Sequence, residues 1–126
     1  MRAIDTNVLV RLIVRDDSRQ TTAAEAFIEH GAWVSVLALA EASWVLTSVY
    51  DVGAQELASA IEMLLNHRNL ALQDDDAVAR SLQLFRARPA LGFSDCLMVE
   101  LARKAGHVPL GTFDRDLAKM DGAHRL

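Results

Sequence analysis

Apolar positions along the chain fall into short continuous runs that alternate with longer amphipathic repeats. "RAID" reads as a strand of residues 2–5, and Val8 to Val14 as a short helix that Thr6 or Asn7 can cap. A second helix is expected from Ser18 through "SRQTTAAEAFIEHG", where Ala24, Phe27 and Ile28 share a face and Gly31 is a natural stop. "WVS" reads as a strand and leads into a long apolar helix from Val36 to Tyr50. "AQELASAIEMLLNH" is amphipathic, with Leu57, Ile61, Leu64 and Leu65 on one side, and "LALQ" follows as a strand. "DDDAVARSLQLFRAR" opens on three acids, where the helix dipole favours them. Pro89 and Gly92 mark a loop, and Ser94 stands where it can cap "DCLMVELARKAG". "VPLGTF" ends a strand, "DRDLAKM" reads as a short helix and "HRL" as a last edge strand. Strands alternating with helices predict an α/β fold in which a short parallel sheet is flanked by helices on both faces.

The length of 126 residues fits one domain, expected to span residues 1–126. At 52% hydrophobic residues, with no linker, repeat or low-complexity stretch, the composition is globular. The 13 basic and 17 acidic residues leave a net charge of −4, which argues against a general nucleic-acid coat protein. It leaves room for an enzyme that binds a polyanion locally, through metal ions and a few arginines. The single cysteine, Cys96, cannot form an internal disulfide or a zinc site, so a reducing, cytoplasmic setting is expected, with Cys96 as a small buried hydrophobe. Asp5 and Arg11 interrupt the first apolar stretch, so no signal peptide is expected, and no apolar run reaches the roughly 18 residues of a membrane span. His30, His67, His107 and His124 are scattered, without metal-ligand spacing. Trp33 and Trp44 read as core or interface residues rather than base-stacking platforms.

Most of the 17 acids, Glu100 among them, fall at helix starts, on polar faces or in turns and read as solvated charge. Four do not. Asp5 ends an apolar strand, and Asp114 follows the strand end Leu110-Gly111-Thr112-Phe113. Glu41 lies in "SVLALAEASWVL", with the apolar Leu37, Ala38, Trp44 and Val45 as helical neighbours and no basic residue three or four positions away. Asp95 heads a helix after Gly92-Phe93-Ser94. Each has a bland alternative: backbone N–H groups for Asp5, a distant arginine for Glu41, the helix dipole for Asp95, a turn or cap for Asp114. Taken together they suggest one site at the C-terminal edge of a parallel sheet, where α/β folds bind ligands. Carboxylates gathered this way repel unless a cation separates their charges, and an oxygen-only donor set points to a hard ion, Mg²⁺ or Mn²⁺.

"AIDTNVLVRLIVRDD", "LALAEASWVL", "GFSDCLMVELARKAG" and "LGTFDRDL", in this order, resemble the PIN domain, and more narrowly the VapC-type toxins of toxin–antitoxin pairs. The resemblance implies a three-layer α/β/α fold with a short central parallel sheet. It makes Asp5, Glu41, Asp95 and Asp114 the catalytic, metal-holding acids of an Mg²⁺- or Mn²⁺-dependent endoribonuclease. Asn7 and Thr112 match polar residues that orient the site, and Asp116 lies where some members carry a further acid. Metal-assisted hydrolysis leaves 5′-phosphate and 3′-hydroxyl ends. Arg11, Arg15, Arg86, Arg88 and Arg115 are candidates for the RNA backbone, against a reading as surface ion pairs. The resemblance also implies a homodimer, and a VapB-type antitoxin that presents a basic residue to the acids, giving a heterotetramer or larger. A housekeeping PIN nuclease and an inactive PIN-fold binding module are alternatives within the fold. An aspartate-nucleophile phosphatase would need a second acid where this chain has Asn7.

Overall fold

The computed structural model describes every residue from Met1 to Leu126. The chain forms two compact units, Met1–Asp75 and Asp76–Leu126. In the first, strands β1 (Arg2–Ile4), β2 (Ala32–Val34) and β3 (Leu70–Leu72) form a parallel sheet in the order β1-β2-β3. Their connections are α1 (Thr6–Val14) and α2 (Ser18–Ile28), then α3 (Val36–Ser48) and α4 (Ala54–Asn66). Ile4 pairs with Val34 and Val34 with Leu72, so the three strands end level. The residues that follow them, Asp5, Ser35 and Gln73, all turn their side chains to helix starts. Asp5 accepts from the Val8 amide at 3.1 Å, Ser35 from Ala38 at 3.0 Å and Gln73 from Val36 at 3.0 Å. Each satisfies an N–H group that has no partner inside its helix. Leu9, Leu12, Val34, Leu39, Leu46, Ile61 and Leu64 fill the core of this unit.

The second unit takes in α5 (Asp75–Ala87, whose first residue lies in the first unit), α6 (Phe93–Ala105) and the parallel pair β4 (Leu110–Thr112) and β5 (Ala123–Arg125). Val78, Leu82, Phe85, Phe93, Leu97 and Val99 are buried, with the rings of Phe85 and Phe93 edge to face at 6.1 Å. Gly122 enters β5 at φ +90°, a backbone conformation that strains any residue with a side chain.

The structure corrects several expectations. The cap of α1 is Asp5, not Thr6 or Asn7, because the helix begins at Thr6 rather than Val8. α3 stops at Ser48, short of Tyr50. Ser94 caps nothing: α6 starts at Phe93, behind Gly92 at φ +80°. "DRDLAKM" shrinks to one 3₁₀ turn, Leu117–Lys119, because the chain turns back at once into β5. The strands hydrogen-bond in two parallel groups rather than one. α3 is not buried all round. Leu37, Glu41 and Trp44 share one stripe of the helix, and Leu37 and Trp44 are 67% and 64% exposed, while Ala38, Leu39, Ala42 and Leu46 face the core. Trp44 is therefore no core residue. No helix is long and apolar enough to cross a membrane.

Candidate active site

In the first unit the level strand ends place Asp5 at the C-terminal edge of the sheet. Its side chain is exposed, so the carboxylate is not buried in apolar surroundings, as its place after an apolar strand suggested. Oδ1 caps α1; Oδ2 has no partner. The next residue, Thr6, donates its hydroxyl to Oε2 of Glu41 at 2.8 Å. That bond reaches from the start of α1 to the middle of α3 and ties Glu41 to the Asp5 corner. Glu41 is likewise exposed, against the expectation from its apolar neighbours, and needs no distant arginine: water covers it. Its Oε1 is unpartnered. Asn7 is exposed, and its amide is not hydrogen-bonded within the protein. Thr6 was legible only as a possible helix cap; its place between Asp5 and Asn7 in "DTN" was the available signal.

In the second unit Asp114 follows β4. Its Oδ1 accepts from the backbone amides of Asp116 at 2.8 Å and Leu117 at 3.3 Å, and its own amide donates to the Thr112 hydroxyl at 3.0 Å. This closed turn fixes the carboxylate and leaves Oδ2 without a partner. Asp95 sits in the first turn of α6 and is half-buried. Burial first, and the Asp114 charge second, raise its pKa above the ordinary carboxylate value. Asp116 is exposed, with Lys119 Nζ at 3.7 Å from its carboxylate. Cys96 is buried, and its thiol is pushed up to about 11 by burial and by the Asp95 charge, which makes it inert.

The arginines divide. Arg11 pairs with Asp16 and donates to the Tyr50 hydroxyl at 3.3 Å; Arg15 pairs with Glu25 at 2.7 Å. Both charges are committed within the protein. Arg86 is exposed. Arg88 and Arg115 are exposed and in no ion pair, so they alone keep a wholly uncommitted charge among the five. Glu100, expected at the surface, is 5% exposed, with Arg103 Nε at 3.0 Å and Arg80 Nε at 3.5 Å. The missed signal was Arg103 three residues on, which lets a helical Glu turn inward.

The four acids thus form two pairs, Asp5 with Glu41 and Asp95 with Asp114. Three of them have one oxygen held by the protein and the other left over. None has a basic partner. In the second unit Asp95 and Asp114 are an oxygen-only pair whose mutual repulsion a hard divalent cation would relieve, as a proton otherwise does. Within neither unit do three or more Asp, Glu, His or Cys side chains gather into a ready cation cage.

No curated protein and no solved structure matches the chain significantly. A family model described as the PIN domain matches residues 3–123, and the six helices and short parallel strands are those of its three-layer α/β/α fold. With nearly the whole chain matched, the protein belongs to the PIN domain family.

Proposed function

We propose that this protein is a cytoplasmic Mg²⁺- or Mn²⁺-dependent endoribonuclease, the toxin of a VapBC-type pair, acting as a single domain that cuts RNA to 5′-phosphate and 3′-hydroxyl ends. PIN domains are in general metal-dependent nucleases. The observation that carries the reading is the state of the acids: Asp5, Glu41 and Asp114 are each pinned through one oxygen, and their second oxygens have no partner. Asp17 caps α2 in the same half-satisfied way, so it is the place of these acids in the matched PIN motifs that sets them apart. Here Asp5, Glu41, Asp95 and Asp114 are the residues that hold the ion. When bound, the ion supplies neutralisation of the scissile phosphate and a water acidic enough to react at neutral pH. The protein's part is to aim the acids. The α1 amide holds Asp5, Thr6 holds Glu41, and the Thr112–Asp114 turn holds Asp114. Asn7 and Asp116 flank these acids as supporting polar groups, and Arg88 and Arg115 are the arginines free for the RNA backbone.

The toxin reading brings a VapB-type antitoxin that sets an Arg or Lys against the four acids, and a homodimer, together a heterotetramer or larger. The exposed Leu37 and Trp44, on one stripe of α3, are apolar surface that such an assembly would cover. The test is to map RNA 5′ ends after incubation with the purified chain in Mg²⁺, Mn²⁺ or EDTA. Cleavage is expected only with metal, and Asp5→Asn and Asp95→Asn are expected to lose it while keeping the wild-type circular dichroism. Full cleavage in EDTA, or by Asp95→Asn, overturns the mechanism.

A further inference from the structure

Beside Asp5 the first unit holds a cavity of about 400 Å³ between α1 and α2. Sites for small organic groups run from about 300 to 1,000 Å³. Asp5, Asn7, Val8 and Arg11 line it from α1 and its cap; Gln20, Ala23, Ala24 and Phe27 line it from α2. We propose that this cavity binds one nucleobase of the RNA, next to the scissile phosphate, with Asn7 and Gln20 reading its edge. The inference rests on the ribonuclease reading and adds to it the means of base selection.

Three features favour a base over a phosphate or an aliphatic group. Val8, Ala23, Ala24 and Phe27 give the lining an apolar part, and Phe27 makes one wall aromatic. Arg2 lies over the Phe27 ring, 3.8 Å from its centre, and donates to the Phe27 carbonyl at 3.0 Å, so the ring is held in place. An aromatic wall suits the face of a base. The two side-chain amides, Asn7 and Gln20, have no hydrogen bond within the protein, and each carries both donor and acceptor, the combination a base edge presents. The one cation in the lining, Arg11, is committed to Asp16 and Tyr50, so the cavity offers no free positive charge to a phosphate. Asp5 belongs both to this cavity and to the proposed metal-holding set, which puts the bound base beside the reacting bond.

Two measurements test this. In the first, wild type, Gln20→Ala and Ala23→Trp cut a random-sequence RNA pool and the cut sites are sequenced. Gln20 and Ala23 are exposed on α2, so both variants are expected to fold, with circular dichroism as the check. Wild type is expected to favour one base at a position flanking the cut. Gln20→Ala should weaken that preference by roughly 5-fold or more, the discrimination of one amide–base pair. Ala23→Trp, which fills the cavity, should flatten the same position and raise KM. In the second, the full chain labelled with ¹⁵N and without added metal is titrated with each nucleoside 5′-monophosphate and with ribose 5-phosphate. The Asn7 and Gln20 side-chain amide signals should move with the nucleotides only. Unchanged base preference in both variants, together with amides that do not move, overturns the proposal and leaves the nuclease reading standing. Amides that move with nucleotides, in a protein that cuts no RNA, keep the cavity and sink the nuclease. Amides that move only on adding an antitoxin make the cavity a protein groove and overturn the proposal.

Discussion

Glu41 on α3 and Glu100 on α6 are the same residue type on helices of the same length, and the fold treats them in opposite ways. Glu100 is buried, and guanidinium nitrogens of Arg103 and Arg80 lie within 3.5 Å of its two oxygens. Glu41 is exposed on a stripe with Leu37 and Trp44, and its sole partner is the neutral hydroxyl of Thr6. A buried carboxylate without cations is costly, so burial and pairing go together at Glu100 and the charge is used up in holding the fold. At Glu41 nothing is used up: one oxygen is aimed and the other waits. The contrast shows that the apolar or polar character of the flanking sequence does not decide whether a helical acid is buried and paired.

The largest effect that can break the comparison is at Glu41. Glu41→Gln is expected to lower RNA cleavage at least about 100-fold, beyond the loss typical of residues that only support a metal ligand, while thermal unfolding stays near wild type. An active variant, or one that fails to fold, would put Glu41 in the class of Glu100. Glu100→Gln is the reverse case. It takes the anionic partner away from two partly exposed arginines and is expected to cost about 2 kcal/mol of stability, read by urea unfolding, with cleavage by the folded fraction retained. Thr6→Val is smaller again. It keeps the size of the side chain and deletes the hydrogen bond to Glu41, so kcat should fall roughly 10-fold with no change in KM for RNA.

The smallest effect concerns Asp76, a surface acid satisfied by a lysine. The Lys104 hydrogen bond first, and the Ala77 amide second, hold its pKa below the ordinary 3.8. A lowered carboxylate contributes stability above that value and loses it as pH falls through the folded pKa. Asp76→Asn should therefore lower Tm slightly at pH 7, and the gap to wild type should close as pH drops below 3.8. A gap that persists in acid would show the loss to be steric rather than electrostatic.

Much of the fold was legible because periodicity is local. The apolar repeats placed all six helices within a few residues, and the short runs placed the strands. The capping errors share a cause. Asp5, Thr6 and Asn7 are all good N-caps by type, and only the register of β1 against β2 decides which of them leaves the strand with extended backbone: Asp5, at φ −92° and ψ 178°. The acids were picked out by odd company, but the inference from odd company to burial was wrong at Asp5 and Glu41. A helix of mostly apolar sequence can still turn one stripe to water, as Leu37, Glu41 and Trp44 do.

By itself the sequence determined the α/β alternation, the membership in the PIN family and the buried inert Cys96. Local spacing and residue type suffice for these. Only the tertiary structure decided that Glu100 turns inward to Arg80 twenty residues away, that Thr6 reaches across thirty-five residues to aim Glu41, that Arg11 and Arg15 are used up on Asp16 and Glu25, and that α1 and α2 leave an open cavity beside Asp5. Each of these depends on which surfaces meet once helices and strands pack, and a carboxylate's burial and partners are properties of that meeting rather than of its neighbours in the chain.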